Sequence, residues 1–183
     1  MKKLFYIQAL FFLLLCPVQG QADEEPSVKW NSARPLTWSD FQGPVDPGTD
    51  AAAVTASGIT YGLSATFTGN RITVDCEIET FFYPQKSWYR KELGDSLVLR
   101  HEQLHFDITE LHARKMRKAI QSSTFTENVR EEVKRIYHKT ISELQATQRL
   151  YDRETNFSRN PDIQSNWERK IANELNKYSA YHQ

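Results

Sequence analysis

His101, Glu102 and His105 lie within the five residues His-Glu-Gln-Leu-His, in a stretch whose apolar spacing is that of a long helix. Histidines at i and i+4 leave a helix on the same face, one turn apart, so both imidazoles can reach one metal ion. Glu102 follows the first histidine and points slightly aside. It is placed to meet a water beside the metal rather than the metal itself. Two ligands and a general base on one turn is the arrangement that metal-assisted hydrolysis requires.

The ion that suits this donor set is Zn²⁺, which lowers the pKa of a bound water toward ~7 and polarises a carbonyl. Glu102 would take the proton of that water and pass it to the leaving amine. Two histidines one turn apart also occur as polar residues at the edge of a core. Chance produces the full pattern in under about one chain in a hundred of this length, and here it falls on the inward side of a central helix, which favours the metal.

A catalytic zinc site keeps three protein ligands and one open position. Three side chains compete for the third place. His112 is seven residues beyond His105, ~10 Å along a straight helix, and reads as a polar residue at the stripe's edge. Glu143 comes from the following helix. If the two helices turn near Ser122, residues 140–144 face 101–105; an exposed pair with Lys139 is the competing reading. Asp152 lies where that second helix is expected to end, in a loop that can fold back over the metal. Tyr151 beside it is a candidate oxyanion donor.

The elements that must position these groups are legible in outline. Lys2 and Lys3, the apolar run Leu4 to Cys16 and the small residues Gly20 and Ala22 read as a cleaved signal peptide over residues 1–22, which predicts export to a periplasm or the medium. The run is short for a membrane anchor, and no membrane span is expected after signal removal. The remaining 161 of 183 residues carry 21 basic and 23 acidic side chains, a net of −2 once Lys2 and Lys3 are gone. That balance argues against nucleic acid as a partner. With Cys16 removed, Cys76 is alone and no internal disulfide is expected.

Residues 23–50 are rich in Pro, Gly, Asp and Ser and read as an extended lead-in anchored by Trp30, Trp38 and Phe41. A single domain is expected over 51–183. Ile72, Val74, Cys76, Ile78 and Thr80 alternate with polar residues behind the turn Thr68-Gly69-Asn70-Arg71, which predicts an antiparallel hairpin ended by Pro84. Asp95 or Ser96 opens a helix to about Ile120, buried on two faces. Thr124 and Glu127 suggest a capping box for a second helix to about Leu150, and Pro161 starts a third. Strands followed by helices make the fold class α+β, a small antiparallel sheet before a zincin-like helical hairpin and a C-terminal helix.

Several separated segments together resemble a bacterial family of predicted secreted zinc-dependent proteases, long catalogued as a domain of unknown function. They are Leu36-Thr37-Trp38-Ser39-Asp40-Phe41, Ser87-Trp88, Leu97 through Ile108, Ala113-Arg114 and Tyr151-Asp152-Arg153-Glu154-Thr155. The resemblance implies an exported protein, a zinc site at His101, Glu102 and His105, and a peptide or protein substrate. The family's tyrosine–aspartate segment is often followed by Thr-x-His, and this chain has Phe157 there. A histidine lost from the ligand set would favour the alternative, a non-catalytic envelope binding module with a degenerate or structural metal site. Glu143 or Asp152 as third ligand would leave the site whole.

Overall fold

A computed structural model describes residues 26–69 and 71–182. The expected signal peptide, residues 1–22, lies outside them. The fold is α+β, antiparallel sheets followed by three α-helices among the described residues.

β3 (Ser57–Thr68) and β4 (Arg71–Phe82) form a long hairpin closed at Thr68 and Arg71. Gly69 takes the positive φ of 58° that the two-residue turn demands. Ile59 and Ile78 are buried from its inner face, while Thr60, Thr73 and Glu77 face solvent. β1 (Val28–Lys29) adds to the other side of β4, so the sheet order is β1-β4-β3 and β3 is an edge. β2 (Ala53–Val54) does not continue into the hairpin; it pairs separately with β5 (Trp88–Tyr89).

The lead-in is more ordered than its composition suggests. Besides β1 it forms a 3₁₀ turn at Trp38–Asp40, where Asp40 accepts from the Thr37 amide at 2.8 Å. Trp38 stacks on Tyr89, and Trp30 donates to Asp107 at 2.8 Å.

α1 (Ser96–Gln121) starts where Asp95 accepts from the amides of Leu97 and Val98. It runs between the sheet and the other helices, and its two sides feed two cores. Leu104, Ile108 and Leu111 join the main cluster with Ile78, Tyr151 and Trp167, while Phe106 and Leu99 pack with Leu36, Phe41 and Phe82. Glu110 is buried between Arg114 at 2.8 Å and Arg117 at 3.0 Å and accepts from Thr80. Arg117 also donates to the Ile78 carbonyl and Arg114 to that of Leu175, so one satisfied ion network ties α1 to β4 and to the C-terminal segment. Only the i, i+4 spacing of Glu110 and Arg114 marks this network in the sequence.

α2 (Val129–Thr155) differs from expectation at both ends. Thr124 and Glu127 do not cap it. Thr126 instead offers its amide and hydroxyl to Glu132, and the helix begins only at Val129. It continues to Thr155 because Tyr151 is fully buried against Trp167 and extends the apolar stripe by a turn. α3 (Pro161–Lys177) opens as predicted, with Asn160 accepting from Ile163 and Pro161 in the first turn.

Candidate metal centre

α1 and α2 run antiparallel, and their register decides which residues meet. Gln148 faces His105, and Asp152 faces both His101 and His105. The pair is therefore centred between Thr126 and Glu127 rather than at Ser122, since the connection is a seven-residue segment instead of a tight turn. Asp152 stands where residue 144 was expected, a displacement of eight residues or ~12 Å along the helix.

That displacement corrects the placement of Glu143. Its side chain is 53 % exposed and pairs with Lys139 at 3.9 Å, away from the histidines. Asp152 is brought to them, from the last turn of α2 and not from a loop. His112 also stays apart: it is buried between α1 and α2, with Nε2 at 3.1 Å from Thr147 Oγ1. Burial, with Lys115 nearby, pushes its pKa down to about 4.

His101 Nε2, His105 Nε2 and Asp152 Oδ1 converge. The histidine nitrogens are 3.2 Å apart, and the carboxylate oxygen is 3.2 Å from His101 and 2.9 Å from His105. A tetrahedral ion with ~2.0–2.1 Å bonds separates its ligands by ~3.3–3.4 Å, so these donors need only a few tenths of an ångström to accept one. The group can hold a metal ion. Its electrostatics point the same way. Burial acts to raise the Asp152 carboxyl, but the hydrogen bonds and charges of the two histidines hold it well below the usual carboxylate range. Burial acts to lower His105, yet the bond to Asp152 and the charge of Glu102 leave it above the usual value. A field that favours a proton between these groups also favours a divalent cation.

The supporting contacts fix ring orientation. Gln148 accepts from His105 Nδ1 through Oε1, and its amide donates to the His105 carbonyl at 2.9 Å. With a proton held on Nδ1, Nε2 is the His105 nitrogen left to meet a metal ion beside Asp152. His101, 4 % exposed, is held by stacking on Tyr151, ring centroids 4.4 Å apart. Tyr151 is thus a wall behind a ligand and not an oxyanion donor: its hydroxyl is directed at the His101 carbonyl, and burial pushes its pKa far up. In the sequence Gln148 is marked only by its place four residues before Asp152 on the same face of α2. Gln148→Ala is expected to weaken metal affinity about 10- to 100-fold, as loss of a ligand's outer-shell partner usually does, with Gln148→Glu restoring most of it. Competition with a fluorescent zinc chelator checks this.

Glu102 is buried beside the group, and its charge is felt at both His105 and Tyr151. Glu102, His101, His105 and Asp152 all line one cleft of about 1200 Å³, bounded by the β3 edge, the β2 segment and α2. The donors are therefore open on one side, as a fourth coordination position requires.

The three donors, their open side and the buried Glu102 carboxylate lie together at one cleft. No curated protein and no solved structure matches the chain. Residues 36–159, which span every donor of the centre, match the model of a family described as a bacterial protein of unknown function (DUF922), and the chain belongs to that family.

Proposed function

We propose that this protein is an exported zinc-dependent peptidase that hydrolyses amide bonds of extended peptide segments. The observation that carries the proposal is the convergence of His101, His105 and Asp152 beside buried Glu102 in an open cleft. Zinc held there would supply Lewis-acid polarisation of a carbonyl and activation of water near neutral pH.

The chain's own residues account for the rest. His101 and His105 present Nε2 lone pairs, Asp152 adds a negative oxygen, and Gln148 and Tyr151 keep the rings from turning. Glu102, next along the helix from His101, takes the water's proton and later delivers a proton to the departing amine. A structural metal site has no use for such a base.

The edge of β3 supports a peptide as substrate. Tyr83 N–H donates to the Ala56 carbonyl at 2.9 Å. Antiparallel pairs alternate, so Ala56 and Gly58 turn their main-chain groups toward β4, while Ser57 and Ile59 turn theirs outward. Outward is the cleft side, where the Tyr137 hydroxyl reaches the Ile59 carbonyl at 3.4 Å. A peptide laid along Ser57 as an added strand would pass the metal group. Export rests on Lys2, Lys3 and the apolar run to Cys16. Among the described residues no helix is long and apolar enough to cross a membrane.

Incubating the zinc-loaded protein with a mixed peptide library, read by mass spectrometry, tests the proposal. Cleavage that stops with 1,10-phenanthroline and returns with zinc is expected. Full zinc occupancy with no cleavage of any peptide would favour a binding module instead.

A further inference from the structure

Five large hydrophobic residues are exposed among the described residues, and three of them, Val54, Leu93 and Phe157, line the cleft of the metal group. Their exposures are 36 %, 48 % and 60 %, and none joins either core cluster. Single exposed hydrophobics are ordinary; three at one cleft that already holds a candidate centre are not. Leu93 precedes α1 and Phe157 follows α2, so the antiparallel helices bring the two to the same end of the cleft.

Phe157 is the least expected of the three. Asn156, Phe157 and Ser158 have φ of 49°, 53° and 67°, a run of left-handed residues without a glycine. Asparagine tolerates this conformation, but a bulky aromatic is disfavoured in it. The turn is held by the Phe157 amide donating to the Asp152 carbonyl at 2.9 Å and that of Asn160 to Thr155 at 2.9 Å. Neither the backbone geometry nor the core calls for an aromatic ring here. Glycine would serve the turn better and water would accept it.

We infer that Phe157 and Leu93, with Val54, form an apolar lip that selects peptide segments carrying a bulky apolar side chain near the metal group. This deepens the peptidase reading and rests on its assignment of a peptide to the cleft. The substrate class is then a hydrophobic stretch of unfolded or extended polypeptide, and acidic or strongly polar peptides are poor ligands. Leu97, in the first turn of α1 beside the lip, and Leu144, farther along α2, add apolar side chains to the lining of the same cleft.

The test uses two dansyl-labelled peptides, alike except that the central residue is Leu in one and Asp in the other. Binding to zinc-loaded Glu102→Gln protein is measured by fluorescence anisotropy, with and without Phe157→Gly. The Leu peptide is expected to bind the tighter, and Phe157→Gly to weaken it roughly 10- to 100-fold while leaving the Asp peptide unchanged, the range expected for losing one buried aromatic contact. The same substitution should raise the melting temperature by about 2–4 °C, because it relieves the left-handed strain. Equal binding of the two peptides, or Leu-peptide affinity untouched by Phe157→Gly, would overturn the inference. Because the readout is binding, a wild type that cleaves nothing would defeat the peptidase reading and leave this result standing.

Discussion

Glu102→Gln is expected to keep the full zinc load and to lower the rate of peptide hydrolysis by about 10²- to 10⁴-fold, the usual contribution of a positioned general acid–base. The substitution is close to isosteric. It leaves the two histidines and Asp152 in place, because no hydrogen bond among those three passes through the Glu102 side chain. What it removes is the carboxylate that can take a proton and return it. The loss should fall on kcat with little change in KM, since Glu102 is assigned to the chemical step and not to peptide binding. Metal content measured on the same sample separates loss of the base from loss of the ion. Activity within a few-fold of wild type would remove Glu102 from the mechanism.

The second large effect is at Asp152. Asp152→Ala removes one of three donors and the negative charge that both imidazoles face. Zinc affinity should fall roughly 10²- to 10³-fold, one ligand's share of a typical protein zinc site. Glu143→Ala should leave affinity unchanged, because that side chain is exposed and, among the described residues, pairs with Lys139 and not with the histidines. Competition titrations on the two variants read the contrast directly. Equal losses in both would mean that α1 and α2 do not pair in this register in solution.

That register is also where the sequence was least informative. The ligand pair and the base are readable from i, i+4 geometry alone, and so is the cap at Asp95, because those relations are local. The pairing of α1 with α2 is not local. It depends on where α2 starts, and the Thr126–Glu132 clasp, six residues apart, fits no simple capping pattern. Thr124 and Glu127 have the spacing of a capping box, and a helix started there sets Glu143 rather than Asp152 opposite the histidines. The C-terminal end of α2 is obscured in the sequence for a different reason. Asp152 through Thr155 contains residues common at helix exits, yet burial of Tyr151 and Thr155 carries the helix past them. The alternating hairpin was readable because one face is buried and one is wet, but the small sheet of β2 and β5 was not, since two-residue strands leave no period. The Glu110, Arg114 and Arg117 network reaches to Ile78 and Tyr181, far away in sequence, so beyond the i, i+4 spacing of Glu110 and Arg114 it leaves no local signature.

The centre itself is a claim about three donors and one ion, separable from catalysis and from substrate. Zinc content of the purified chain after dialysis against buffer, measured by plasma mass spectrometry beside the double variant His101→Ala/His105→Ala, tests it most directly. About one equivalent is expected in the wild type and nearly none in the variant. Less than about a tenth of an equivalent in the wild type after zinc loading, or equal content in both proteins, would contradict it.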